Sequence, residues 1–282
     1  MTGLHGSCHC ENIEYVFSTE KNISRLSPGK CSCSFCEKHS AEYIFDPEGR
    51  LEVTVRDDIQ PIRYVFNLKT AEFLSCPTCG TFVLANIRNK DQSFSAINTK
   101  TLNPDFQKQL TKTELTNFNK EDREQRKARR LKSWTPTNFK TKTLLEHMKV
   151  DTEDGLKTFI SKFESKSLPK NKWTHEAHFV VSLWYSYHHE VSEALEKVRE
   201  FIKAYNLATG VENTEFDGYH ETITWLYLDT TKKFIEENSN LSMIKLLEKL
   251  LNSEIIDRNY PLKFYDFNTL MSKEARLSLI KP

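Results

Sequence analysis

The chain has 282 residues, a formal net charge of +1 and 28% charged residues, which is the composition of an ordinary globular protein. A charge this close to zero gives no global field that would draw the chain to nucleic acid or to a membrane surface. No window reaches the ~18 apolar residues of a membrane-spanning helix, and the first ten residues lack the apolar segment of a secretion signal. We therefore expect a cytoplasmic protein of two modest domains that does not associate with membranes.

The first part of the chain alternates apolar and polar side chains with the period of two that is typical of half-buried strands. Turn residues such as Pro28 and Gly29 separate these stripes. The stripes are Ile13, Tyr15 and Phe17; Leu51, Val53 and Val55; Ile62, Tyr64 and Phe66; and the segments 81–87 and 93–98. The pattern predicts a mainly antiparallel β domain over residues 1–115 that carries the cysteines in its turns.

The next stretch is dense in charge, and residues 119–132 read NKEDREQRKARRLK. We predict a charged, solvated linker over residues 116–139. The alternative is a basic patch for nucleic acid, since five arginines and lysines fall close together. Interspersed acidic residues and the lack of an aromatic stacking platform argue against nucleic acid as a partner.

From about residue 140 the apolar period changes to 3.6, the period of an amphipathic helix. Two such faces are Ala194, Leu195, Val198, Phe201, Ile202 and Tyr205, and then Met243, Leu246, Leu247, Leu250 and Leu251. The pattern predicts an all-α helical bundle over residues 140–282. The whole chain is thus predicted to be α+β, with a β domain followed by a helical domain.

All seven cysteines lie in the first 80 residues and belong to tightly spaced clusters. They are Cys8, Cys10, Cys31, Cys33, Cys36, Cys76 and Cys79. Disulfides would leave one thiol over, residues two apart pair poorly, and disulfides seldom persist in a reducing compartment. The clusters therefore favour metal, and thiolate ligands favour Zn²⁺.

Spacing alone suggests how the sulfurs divide. The pair at 8 and 10 and the pair at 76 and 79 together make one closed four-cysteine site, which suits a structural zinc. Cys31, Cys33 and Cys36 then fill three corners of a second site, and an open corner is typical of a catalytic zinc. Two alternatives stay open: His9 or His39 closes the second site, or the clusters pair differently.

The order and rough spacing of these motifs resemble those of the glutathione-dependent formaldehyde-activating enzyme and centromere protein V zinc-domain family. The motifs are GSCHC at 6–10, CSCSFC at 31–36 and CPTCG at 76–80. Phe73, Asn98 and Leu102 fit the resemblance as well, which covers about residues 3–110.

The resemblance implies a two-layered β tent fold and two zinc ions. It implies that the structural zinc is held by Cys8, Cys10, Cys76 and Cys79. It places the second, exchangeable zinc on Cys31, Cys33 and Cys36, which would form the catalytic site. The activity it implies is making and breaking a carbon–sulfur bond, from formaldehyde and glutathione to S-hydroxymethylglutathione.

The helical part has a weaker candidate site. His175 and His178 are three residues apart and share one helical face, and His220 and Glu221 begin another predicted helix. Such a set can bind a divalent metal inside a bundle, and ordinary polar residues at helix ends are the alternative. The motifs WTHEAH, GYHETIT and LxSxEAR resemble an uncharacterised bacterial helical domain over about 150–282, which implies a fold and no chemistry.

These observations together predict a zinc-dependent carbon–sulfur lyase-like enzyme that acts on a small thiol or a thiol–aldehyde adduct of the glutathione type. One alternative is a non-catalytic zinc scaffold that works as a binding module. Another is a metal-dependent enzyme centred on the histidines and glutamate of the helical domain.

Overall fold

A computed structural model describes residues 2–110, 113–118 and 120–282; Met1, Thr111, Lys112 and Asn119 lie outside the described residues. The protein mixes α and β structure, and the chain divides into two compact units, Met1–His147 and Met148–Pro282. No described helix is long and apolar enough to cross a membrane.

The first unit holds every strand in the described part of the chain. The strands are β1 (Thr2–Ser7), β2 (Ile13–Thr19), β3 (Gly29–Cys31), β4 (Glu42–Ile44), β5 (Arg50–Arg56), β6 (Ile62–Tyr64), β7 (Glu72–Ser75), β8 (Phe82–Asn89), β9 (Gln92–Asn98), β10 (Glu114–Thr116) and β11 (Thr135–Lys142). Its helices are α1 (Ser34–Lys38), α2 (Pro104–Gln107) and α3 (Arg123–Ser133), and α4 (Leu144–Met148) lies at the division. Two 3-10 turns, Ile23–Arg25 and Thr99–Thr101, complete the unit.

The strands form one sheet with the order β1-β2-β5-β11-β9-β4-β3-β10, and β8, β7 and β6 branch from β9. Most pairs are antiparallel, as predicted, but β11 runs parallel to β5 and β10 runs parallel to β3. The predicted stripes fall on β2, β5, β8 and β9. The stripe at 62–66 differs, because β6 is short and its three residues are exposed.

Strand β8 is buried on both faces and separates two hydrophobic cores. Val83 and Leu84 join one core, whereas Phe82, Ala85 and Ile87 join the other. The first core contains Cys8 and Cys76, and the second contains Cys36. Each cysteine cluster is therefore anchored in a core of its own.

The stretch predicted as a solvated linker instead forms part of the first unit. Helix α3 begins with a capping box in which Asp122 and Gln125 satisfy each other's backbone N–H groups. The following strand β11 lies between β5 and β9 inside the sheet. The compact unit therefore extends to residue 147, beyond the boundary predicted at 115.

The second unit is helical throughout. Its helices are α5 (Glu153–Glu164), α6 (His175–His188), α7 (Val191–Ala208), α8 (Glu221–Glu237), α9 (Met243–Leu251), α10 (Phe267–Leu270) and α11 (Lys273–Leu277). Short 3-10 turns occupy Lys170–Lys172, Glu254–Ile256 and Tyr260–Lys263. Helix α6 packs against α7, α8 and α9. The predicted apolar faces of α7 and α9 are largely buried.

Candidate metal centres

Two groups of cysteine side chains, both in the first unit, have the geometry to hold a metal ion. One group is Cys8, Cys10, Cys76 and Cys79, and the other is Cys31, Cys33 and Cys36. Within each group the sulfur atoms all lie within 4.8 Å of one another. Neither His9 nor His39 belongs to a group among the described residues, so the sulfurs divide four and three.

The four-cysteine group joins two turns that are far apart in the sequence. Cys8 and Cys10 lie in the turn between β1 and β2, and Cys76 and Cys79 lie in the turn between β7 and β8. The side-chain amide of Asn12 donates a hydrogen bond to Thr78 Oγ1 at 3.1 Å and ties the two turns together. Gly80, with φ of +72°, ends the second turn and donates its N–H to the carbonyl of Cys76.

The sulfur spacing of this group suits tetrahedral zinc. The Cys8 and Cys10 sulfurs are 3.7 Å apart, and the Cys10 and Cys76 sulfurs are 3.6 Å apart. Four sulfurs at ~2.3 Å from one Zn²⁺ would be separated by about 3.8 Å. The backbone N–H of Ile13 also donates to the Cys8 sulfur at 3.3 Å, as it would to a bound thiolate.

Burial of these thiols also favours a cation. Desolvation raises the pKa of Cys8, and it raises the pKa of Cys10 to about 11. Cys8 and Cys10 therefore resist ionisation when no cation is present, because each thiolate would lose hydration and repel its neighbours. Cys79 differs: against its desolvation, hydrogen bonds with Thr81 lower its pKa to about 6. A divalent cation among the four sulfurs offsets both costs, which is the charge balance of a metal site.

The three-cysteine group comes from one short segment. Cys31 ends β3, Cys33 precedes the first turn of α1, and Cys36 lies within α1. The Tyr43 hydroxyl lies 3.1 Å from the Cys36 sulfur. Hydrogen bonding with Cys31 and Cys36 lowers the pKa of the Cys33 thiol. Three sulfurs converge, and a fourth ligand is missing from the described residues.

These three sulfurs line a cavity of ≈ 100 Å³. Aromatic side chains form much of its wall, namely Tyr43, Phe45, Phe66, Phe73, Phe118 and Trp134. Arg126, Arg129 and Arg130 of α3 line it as well. The cavity therefore combines sulfur ligands, an aromatic surface and guanidinium groups.

The three arginines differ in their partners. Arg129 makes two hydrogen bonds to the Glu121 carboxylate, at 2.6 and 3.0 Å, and Arg126 also pairs with Glu121. Arg130 donates from Nη1 to Thr70 Oγ1 at 2.5 Å, and its guanidinium lies 5.0 Å from the Trp134 ring centre. Its buried Nε has no hydrogen-bond partner in the described chain. Burial beside two other arginines lowers the pKa of Arg130 to about 10, so it remains charged at neutral pH.

The comparisons with known proteins identify no family. No protein-family model and no curated protein matches the sequence. A crystal structure of a Rhodobacter sphaeroides protein, a structural-genomics target, is similar at 24% identity and a TM-score of 0.29, over 39% of this chain and 99% of its own. A TM-score this low supports neither a fold nor a function for the chain.

The histidine and glutamate set of the second unit does not form a metal-binding group among the described residues. His175 Nε2 contacts the carbonyl of Ile256, and Glu221 is paired with Arg199. His220 caps α8: its Nδ1 accepts from the backbone N–H of Ile223, and its Nε2 contacts the carbonyl of Leu270. Three of the four predicted ligands, His175, His220 and Glu221, are therefore engaged by backbone carbonyls or an ion pair.

Tyr43 and the α3 arginines are not among the site residues predicted from the sequence. A usable signal is present, because Arg126 and Arg130 are spaced four apart and share one face of α3, and Trp134 directly follows the helix. Tyr43 carries no such signal, since its contact with Cys36 depends on how the β3–α1–β4 segment turns.

Proposed function

We propose that the chain is a zinc protein whose three-cysteine group works as a carbon–sulfur lyase-type site for a small thiol adduct. The observation that carries the proposal is the convergence of Cys31, Cys33 and Cys36 on the wall of a cavity. Catalytic zinc sites keep an open position beside three protein ligands, whereas structural sites have four. The four-cysteine group would hold the structural zinc.

A zinc ion held by three thiolates would offer its open position to a substrate thiol or to an aldehyde oxygen. The reaction needs no oxidant or reductant. In the direction of addition, the substrate sulfur forms a bond to the aldehyde carbon, the carbonyl π bond breaks, and the thiol proton ends on the new hydroxyl. The reverse reaction releases the same two molecules.

The chain's own residues would bind and orient the substrate. With a substrate bound, the aromatic wall would keep water out, which would strengthen every electrostatic contact inside the cavity. Arg130 is the group that would take an anion, because it is charged, has a free Nε and has no carboxylate in ion-pair distance among the described residues. A thiol that carries a carboxylate, as glutathione does, fits this arrangement.

We also propose the finer architecture that the sequence predicts: a two-layered tent for the first unit and a helical bundle for the second. Each unit would be an independently folding domain, with the first extended to residue 147. A reducing cytoplasm would keep the seven cysteines free for metal.

A cobalt-substituted protein tests the proposed site, because cobalt(II) thiolate centres absorb strongly in the near ultraviolet and visible. We expect 3-mercaptopropionate to change this spectrum at millimolar concentration and uncharged 2-mercaptoethanol to bind about tenfold more weakly, since a charge-assisted hydrogen bond contributes ~1.5 kcal/mol or more. Arg130→Gln should remove the difference.

The control is Cys33→Ser, which should lose the thiol response together with one metal ion per chain. A wild-type spectrum that does not change with either thiol would refute thiol binding at this site. Equal binding of both thiols would contradict anion binding by Arg130 but not metal binding by the three cysteines. Turnover is then measured with formaldehyde and glutathione by NMR.

A further inference from the structure

The second unit contains a cavity of ≈ 790 Å³ that the cysteine chemistry does not use. Helices α6, α7 and α8 and the segment 258–276 enclose it. Its walls are mainly apolar, with Phe179, Val198 and Ile202 among the buried ones. At the rim Phe267 and Met271 are 63% and 45% exposed. A volume of this size is typical of small-molecule sites.

His178 presents a free ring nitrogen in this cavity. Its Nδ1 lies 2.8 Å from the carbonyl oxygen of Thr174. A carbonyl only accepts, so Nδ1 carries the proton and Nε2 is left with a lone pair. No residue of the described chain hydrogen-bonds to Nε2. The His178 side chain is nevertheless accessible to water, as expected for a group on the wall of an open cavity.

The ring of His178 is held firmly in place. Its centre lies 4.2 Å from the ring of Trp173, which stacks in turn on the buried Phe163 at 4.7 Å. Thr174, the N-cap residue of α6, also holds the ring, because its carbonyl accepts a hydrogen bond from Nδ1. A pre-oriented acceptor binds a ligand without loss of side-chain entropy.

The other imidazoles of the cavity are occupied. His175 and His220 use their Nε2 atoms on the carbonyls of Ile256 and Leu270. The charged lining residues balance, with Glu176 and Asp217 against Arg258 and Arg276. Arg276 is further committed to the backbone carbonyls of Gly218 and Tyr219. The cavity therefore combines a mainly apolar wall, a balanced set of charges and one imidazole nitrogen that is free to accept.

We propose that this cavity is a second ligand-binding site, which takes an uncharged, carbon-rich small molecule whose hydroxyl or N–H group donates to Nε2 of His178. The site is independent of the cysteine groups and of the proposed lyase activity.

Two matched probes test the proposal on the full chain. 4-Fluorophenol carries a hydroxyl donor, and 4-fluoroanisole has nearly the same shape without one. Fluorine NMR line broadening measures the binding of each. We expect 4-fluorophenol to bind with a Kd on the order of 1 mM and 4-fluoroanisole to bind about fivefold more weakly, the loss of one net hydrogen bond.

His178→Phe keeps a ring against Trp173 and removes the acceptor, so the preference for the phenol should disappear. His188→Phe is the matched control, because His188 contacts Trp184 on the same helix with a ring distance of 4.5 Å and does not line the cavity. This variant should keep the fivefold preference.

A further variant at the rim of the cavity keeps the proposal testable if His178→Phe fails to fold. Met271→Trp changes an exposed rim residue and should weaken both probes together by narrowing the entrance. The proposal is overturned if neither probe binds the wild-type chain or if both bind equally. It is also overturned if the preference survives His178→Phe, or if folded Met271→Trp binds as the wild type does.

Discussion

The two cysteine groups of the first unit differ in how they are assembled. The four-cysteine group joins turns that are more than 60 residues apart, the first after β1 and the second after β7. The three-cysteine group lies within the six residues from Cys31 to Cys36. Both groups touch a hydrophobic core, but the second also faces a cavity.

This difference in assembly determines how much a bound ion would stabilise the fold. Folding brings the two distant segments together and costs the chain conformational entropy. An ion bound by both segments offsets this cost, because its binding free energy contributes to the free energy of folding. An ion held by one short segment crosslinks little of the chain and can leave without unfolding it. We therefore expect an ion in the first group to stabilise the fold and an ion in the second group to exchange.

Cys76→Ser should change the protein most, since Cys76 is fully buried in the first core. Loss of this ligand should destabilise the protein by ~4 kcal/mol or more, the range of mutations that remove a structural metal. Urea unfolding and a metal count per chain measure it.

Cys33→Ser is the matched variant in the other group. It should lose one metal ion and shift the melting temperature of the first unit by no more than a few degrees. A normal melting temperature for Cys76→Ser would contradict the expectation that the four-cysteine group stabilises the fold. A Cys33→Ser variant less stable than Cys76→Ser would also contradict it.

A smaller effect is expected at Tyr43, whose hydroxyl is 3.1 Å from the Cys36 sulfur. With Cys36 as a metal-bound thiolate the hydroxyl donates to sulfur, and removing such a partner typically costs 10- to 100-fold in metal affinity. Tyr43→Phe should weaken metal binding at the three-cysteine group by about this factor, as measured by competition with a chelator.

Tyr15→Phe is the control for this change. Tyr15 is also buried in the first unit, but its hydroxyl bonds to Thr101 Oγ1 at 2.9 Å, and it belongs to the first core, which does not contain the three-cysteine group. The affinity of the three-cysteine group should stay at the wild-type value. Equal losses in the two variants would mean that Tyr43 acts through the fold rather than through Cys36.

The smallest effect is expected from Gly80→Ala. Gly80 has a φ of +72°, and no heavy atom lies within 4 Å of an added Cβ, so the cost is conformational. We expect a loss of about 1 kcal/mol, or about 3 °C in melting temperature, with both metal ions retained.

Gly3→Ala in β1 is the comparison, because a Cβ there meets Val16 at an ordinary 3.6 Å and no positive φ is required. This variant should melt within a degree of the wild type. A more stable Gly80→Ala would contradict the strain assigned to the second cysteine turn.

Much of the first unit could be predicted from local patterns. The strands β2, β5, β8 and β9 follow from alternation, and the spacing of the cysteines indicates which of them share a turn. Which turns meet in space is a tertiary property, and spacing alone left that pairing open. The structure brings Cys8 and Cys10 to Cys76 and Cys79.

The place of residues 116–142 in the first unit is not visible in the sequence, for a physical reason. Strand β11 reads TPTNFKTK and contains a single large apolar residue, so its position inside the sheet depends on pairing with β5 and β9. The sequence of α3 is rich in charged residues, which is typical of a solvated helix, and it does not show that three of the arginines line a cavity. In the second unit, the Nε2 atoms of His175 and His220 contact backbone carbonyls. Contacts with backbone carbonyls cannot be predicted from the sequence pattern.

The position of β11 also has a consequence for the order of events during synthesis. The last of the four joining cysteines, Cys79, precedes the end of β11 by about 60 residues. At a rate of ~5–20 residues per second, the ribosome needs roughly 3–12 s to make that interval. During this time all four sulfurs exist while β5, and β9 once it is made, still lack the strand that lies between them. Metal capture by the nascent chain would hold the early strands together until the sheet is completed.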